Sequence, residues 1–182
     1  DDAMDAYSKV VAVDLSSQNT NIQDVKLQRP FGKLRLIATD ELSGSLQNDE
    51  SPASTELRYA DGTTIPDVFN ALTGKASGNR SVSMMEASVQ QEDATVNGTT
   101  YTDAYTLITN YIFASDAHTA YAMDITIKNT DNNTIGMRSL SQIPVVKNKL
   151  TTVIGNFYSN EGKLAIVVED PFESPDITVD QH

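Results

Sequence analysis

The feature that most constrains this chain is a side-chain period of two. Residues 120–128 place Tyr121, Met123, Ile125 and Ile127 on one side and Ala122, Asp124, Thr126 and Lys128 on the other. Successive side chains point to opposite faces only in an extended strand, so this pattern buries its apolar set as a half-wet β-strand. Similar runs, rich in Val, Ile, Thr and Tyr, occupy residues 10–15, 25–29, 33–38, 81–87, 105–113, 151–158 and 163–169. At least seven strands are expected.

Between these runs lie residues that tolerate positive φ or close side-chain turns: Asp61-Gly62, residues 74–78, Asn97-Gly98, Asp131-Asn132-Asn133 and Asn160-Glu161-Gly162. They read as hairpin tips and loops. Residues 66–73 offer one short helical turn, closed at once by Gly74, and residues 40–55 read as a long surface loop. Many short strands separated by turns predict an all-β sandwich with long loops. The 182 residues suffice for one domain with a real core, and 39% hydrophobic with 21% charged residues is a globular composition. A single β-sandwich domain over 1–182 is expected, with residues 170–182 as a tail.

The net charge of −12 repels phosphate backbones and anionic lipid, so no nucleic-acid partner is expected. The chain has no cysteine, which removes disulfides, thiolate nucleophiles and sulfur-ligated zinc. The acidic start at Asp1 and Asp2 carries no signal-peptide pattern and reads as a processed fragment.

A search for catalytic chemistry returns little. The only histidines are His118 and His182. A Ser-His-Asp arrangement would have to recruit His118, which is better explained as loop decoration. Glu92-Asp93 and Asp49-Glu50 have no specificity as a glycosidase pair in so acidic a chain, and Asp131-Asn132-Asn133 lacks the spaced acidic ligands of a calcium loop. Asn79, Asn97 and Asn132 head Asn-x-Ser/Thr triplets and fit exposed loops. No enzyme activity, cofactor or metal is expected.

Four segments, in chain order, make the reading more specific. Residues 25–34 (VKLQRPFGKL) are similar to a strand entering an Arg-Pro-Phe-Ala turn. Residues 68–74 (VFNALTG) are similar to a Phe-Asn-x-Leu-Thr-Gly segment. Residues 110–113 (NYIF) open a third, and residues 143–156 (IPVVKNKLTTVIGN) resemble Val-Pro-Val-Gln-Arg-Asn-x-x-Thr-x-Ile-x-Gly. Together they resemble the C-terminal portion of the Bacteroidetes fimbrillin-like (Mfa/FimA-type) cell-surface pilins. Lys147 stands where that family usually has Arg, Val146 where it has Gln and Gly32 where Ala is common.

The resemblance implies a transthyretin-like β-sandwich, the C-terminal domain of a longer two-domain protein. It further implies export as a lipoprotein anchored in the outer membrane, and a structural or adhesive role in a surface fimbria. Its partners would be other pilus subunits or further copies of itself by strand exchange. The alternative is a surface β-sandwich module binding glycan or host protein.

The same residues have a local reading. Pro30 belongs at a strand end, leaving Phe31 to turn into the core. Gly74 supports a turn, and Gly155 marks a bulge or close backbone approach. With Phe69, Asn70, Pro144 and Asn148 they are expected to be fold determinants. Residues 163–169 place Leu164, Ile166 and Val168 on one face with Ala165 and Val167 on the other. This segment is the candidate assembly strand, completing the sandwich in its own subunit or a neighbour's. The weaker candidate, residues 176–180, offers only Ile177 and Val179.

Overall fold

The computed structural model describes residues 6–13, 16, 25–40, 51–114, 119–158 and 163–169. Among them the chain forms thirteen strands and no helix. In order these are β1 (Phe31–Ala38), β2 (Pro52–Tyr59), β3 (Thr64–Ile65), β4 (Val68–Asn70), β5 (Lys75–Ser77), β6 (Arg80–Ser81) and β7 (Met84–Ser88). They are followed by β8 (Gln90–Val96), β9 (Thr99–Phe113), β10 (Thr119–Asn129), β11 (Thr134–Val145), β12 (Leu150–Gly155) and β13 (Leu164–Glu169). Five strands form one sheet in the order β13-β12-β1-β9-β8, four form another in the order β11-β10-β2-β7, and β3-β6 and β4-β5 make two small ribbons. All pairings are antiparallel except β1 with β12, which run parallel with Lys33 opposite Leu150.

The two large sheets bury one shared core, which makes the chain a β-sandwich. Leu34, Leu36, Ile108, Ile112 and Val153 come from the five-stranded sheet; Leu57, Tyr59, Tyr121, Met123, Ile125, Ile127, Leu140 and Ile143 come from the other. The alternation over residues 120–128 is realised in β10, whose four inward side chains are all buried while Ala122 and Asp124 are exposed. Phe157, just past β12, is fully buried within the same core.

A second, smaller core lies on the outer face of the five-stranded sheet. Ile37 and Ile154 are covered there by Ala94, Val96 and Ala104 of the β8–β9 hairpin. The hairpin turns on Asn97-Gly98, both at positive φ, which suits the right-handed twist of its strands. Its tip is clipped down by Asn97 N–H donating to Glu169 Oε1 at 2.6 Å and by Arg35 Nη2 donating to Thr95 O at 3.1 Å.

Several expectations are corrected. Residues 10–13 and 25–29 are not strands: a single bridge, Ser8 with Gln28, joins the two segments. Val10, Val11, Val13 and Val25 are exposed, because strand propensity reports fit to a half-buried sheet and these residues pair with none of the described strands. The helical turn over 66–73 is β4 followed by a turn. Asn70 Oδ1 accepts from the N–H groups of Leu72 and Thr73 at 3.0 and 3.1 Å, a local bond that competes with the helix.

The loop over 40–55 ends early, because Pro52 can open a strand and Thr55, Leu57 and Tyr59 alternate inward. The turn over 74–78 is displaced to residues 71–74, since Lys75–Ser77 pairs with β4. The run over 81–87 is broken between β6 and β7. The turn at 160–162 lies outside the described residues.

Candidate functional site

The four segments singled out by sequence converge. Asn148, at φ 58°, accepts Arg29 N–H on its Oδ1 at 3.0 Å and donates its own N–H to Phe31 O at 2.9 Å. Lys33 N–H reaches Lys149 O at 3.0 Å, and the hydroxyl of Thr151 donates to Pro144 O at 2.7 Å. The first and fourth segments are therefore joined before β1 and β12 begin their parallel ladder. Phe69 of the second segment stacks on Phe113 of the third, with ring centroids 5.9 Å apart. Phe31 lies edge-on to Tyr111 at 5.2 Å, which links the two pairs.

Phe31 thus does not turn into the main core as expected. Residues 32 and 34 face inward, so alternation sends Phe31 outward, where Tyr111 half-buries it. Pro30 sits immediately before β1 and its carbonyl accepts from Ala114 N–H at 3.3 Å. Pro144 lies in β11, an edge strand of its sheet, where a missing N–H is tolerated. Gly74 ends the turn after β4 and donates its N–H to Asn70 O at 2.8 Å. A Cβ on Gly32 would stand 2.6 Å from Val146 O and 2.7 Å from Val145 Cγ1, so alanine does not fit here without a backbone shift.

Gly155 closes β12 at φ 143°, and a Cβ there would strike the carbonyl oxygen of Lys163. It ties three strands: its own carbonyl accepts Thr39 N–H at 3.0 Å, and it stands opposite both Ala38 and Leu164. The next residues are clamped. Asp40 accepts the N–H groups of Phe157 and Tyr158 at 2.9 and 2.8 Å, and Arg138 donates twice to Asn156 O at 3.0 and 2.8 Å.

The assembly candidates Leu164, Ile166 and Val168 lie on β13, which pairs antiparallel with β12 of the same chain and forms one edge of the five-stranded sheet. Leu164 packs against the main core, whereas Ile166 and Val168 are 46% and 41% exposed. Asn156 N–H donates to Lys163 O at 3.4 Å, so residues 163, 165, 167 and 169 aim their backbone groups at β12. By alternation the N–H and C=O of Leu164, Ile166 and Val168 point away from β12, to an edge that is open among the described residues. The other three edges differ. β8 carries Glu92, Asp93 and a register shift, β11 carries Pro144 and Gln142 at φ 58°, and β7 is short with Glu86 at its centre. These are devices that discourage edge pairing, and β13 has none between its terminal charges.

Burial pushes the Arg35 guanidinium down from its ordinary range, opposed by the nearby Glu169 and Glu92. The carboxyl of Glu56 is held below the usual range by hydrogen bonds from Arg58 and Lys128 at 2.6 and 3.3 Å. A hollow of about 230 Å³ beside Tyr59, Asp61 and Ser83 is smaller than the ~300–1,000 Å³ of ligand pockets. Among the described residues no group of three or more His, Asp or Glu is placed to hold a metal, and no helix is long and apolar enough to cross a membrane. His118, His182, Asp49-Glu50 and residues 170–182 lie outside the described residues. Asn79, Asn97 and Asn132 are all exposed.

Three tyrosines give a measurable pH dependence. Burial pushes the phenols of Tyr158, Tyr59 and Tyr121 above their ordinary value, with Asp40 and Tyr105 adding to the effect at Tyr158 and hydrogen bonds from Asn110 and Thr119 opposing it at the other two. A raised folded-state pKa contributes stability that is fully present below pH ~10 and lost as pH climbs toward the folded value. Alkaline unfolding should therefore set in above pH ~10. Tyr158→Phe should make that limb shallower at little cost near neutrality, because the buried hydroxyl has no hydrogen-bond partner to lose. Tyrosine absorbance followed during alkaline titration checks this: all seven tyrosines ionising near pH ~10 in folded protein would contradict it.

Comparison with known proteins places the chain by family. Among the solved structures that resemble it at low identity are two Bacteroides proteins, each described as a "putative cell adhesion protein". One, from Bacteroides ovatus, has a TM-score of 0.48 at 13% identity, covering 81% of this chain and 48% of that one. The other, from Bacteroides uniformis, has a TM-score of 0.44 at 12% identity, covering 79% of this chain and 51% of that one. The chain thus spans about half the length of the solved structures it matches. No curated protein matches it. The family model described as "Family of unknown function (DUF6562)" matches residues 1–181, nearly end to end, and the chain belongs to that family.

Proposed function

We propose that this chain is a structural or adhesive subunit of a cell-surface fimbria, with residues 163–169 as the strand through which subunits assemble. The observation that carries the reading is β13: an edge strand with outward-facing backbone groups and exposed Ile166 and Val168. An extended segment added there gains main-chain hydrogen bonds and apolar cover together. The fimbrillin-like pattern of the four segments supports the same reading. It extends the proposal to a longer, two-domain, lipid-anchored protein at the outer membrane.

The test uses cells producing the full-length protein. Sheared surface preparations should contain multimers that resist mild detergent, and deleting residues 163–169 should abolish them. Surface-displayed protein that never multimerises, but binds defined sugars on a glycan array, would replace this proposal with the glycan-binding alternative.

A further inference from the structure

The edge of β13, which no other described strand pairs with, is chemically self-complementary. We propose that it pairs antiparallel with the β13 edge of a second copy of this chain, forming a two-fold dimer centred on Ile166. The inference needs no strand exchange and stands whether or not the protein works at a cell surface.

The register follows from parity and charge. Directly opposed residues in an antiparallel pair share a face and a backbone parity, so the centre of symmetry falls on a residue, and which residue is decided by the pairs it sets opposite one another. With Ile166 opposite its own symmetry mate, Leu164 faces Val168 of the second copy, Ala165 faces Val167, and Lys163 faces Glu169. Each of Leu164, Ile166 and Val168 then exchanges both N–H and C=O with its opposite number. Every central pair is apolar, and each end carries a pair of opposite charge. Moving the register by two residues either way sets a terminal charge against a valine or an alanine and shortens the ladder. The exposed faces of Ile166 and Val168 are covered by the dimer. Glu169 uses Oε1 to accept from Asn97 N–H, which leaves its other oxygen to face Lys163 of the partner copy.

Two considerations keep the dimer weak. A single strand pair buries less than the ~1,200 Å² of a stable interface, and a net charge of −12 on each copy opposes association at low salt. Sedimentation velocity at ~0.15 M salt on the full chain should therefore show dimer growing toward roughly 100 µM, in the range of small, transient interfaces.

Because the chain has no cysteine, one introduced thiol reports the register. Ile166→Cys brings two thiols onto the dyad with Cα atoms ~5.5 Å apart, within disulfide reach. Val168→Cys leaves them roughly 13 Å apart along the strands. Under mild oxidation the first should cross-link at least ~10-fold faster, reflecting that geometry. Lys163→Glu should weaken the dimer ~10-fold by opposing like charges, and adding Glu169→Lys should restore it. A chain that stays monomeric throughout, with equal cross-linking at 166 and 168, overturns the proposal. A dimer that cross-links faster through Val168→Cys overturns the register and with it the self-pairing argument.

Discussion

Phe157→Ala is expected to destabilise the chain by about 3–5 kcal/mol, the range for emptying a buried aromatic site. Phe157 is fully buried in the main core although it lies in no strand. It is driven there by its neighbours, because Asp40 and Arg138 fix the backbone on either side. That clamp also prevents collapse of the segment into the void, which pushes the cost toward the upper end of the range. At this chain length the loss corresponds to a fall in Tm of roughly 6–20 °C. Equilibrium urea unfolding would measure it directly, and a loss below ~1 kcal/mol, the size of an ordinary surface change, would show that the segment does not plug the core.

Gly155→Val should cost at least ~2 kcal/mol, by two separate routes. A β-branched residue at φ 143° is strained whatever the space around it, worth ~1–3 kcal/mol, and its Cβ would meet the Lys163 carbonyl, adding another ~1–3 kcal/mol of overpacking. Relief requires β13 to move away from β12, so amide exchange should accelerate first in residues 164–169. Exchange that accelerates uniformly, with no bias to that strand, would contradict this placement of the strain.

The sandwich was legible wherever one face of a strand is buried and the other wet. β10 is the plainest case, and β1 and β9 follow it with Leu34, Leu36, Ile108 and Ile112 turned inward, whereas β12 is buried on both faces and reads as a short apolar run. Two of the strands that sequence missed, β8 and β11, sit at sheet edges, while β2 lies inside its sheet and was hidden by its Pro52 start within a polar stretch. β8 begins Gln-Gln-Glu-Asp and buries only Ala94 and Val96, and β11 alternates weakly with Met137 on the exposed side. At an edge the ladder needs only one partner, so hydrogen bonding holds the strand with little apolar signal. Conversely, Val10, Val11 and Val13 carry the signal but join none of the described sheets.

The candidate residues were legible as motifs, but their meeting was not. Arg29 and Asn148 are 119 residues apart and touch only because β1 and β12 run parallel, a pairing no local pattern reveals. The open edge of β13 was equally hidden, since it depends on which backbone groups β12 leaves unpaired.

The measurement closest to the central claim compares two shortened chains, one ending at Glu169 and one ending at Lys163, by urea unfolding with and without a peptide of residues 163–169. The first should stay within ~1 kcal/mol of the parent, the size of an ordinary surface change. The second should lose at least ~3 kcal/mol, since the whole β12–β13 ladder and its packing go, and should regain stability as peptide is added in proportion to its binding. A chain ending at Lys163 that is as stable as the parent and indifferent to the peptide would contradict the assignment of residues 163–169 as the completing strand.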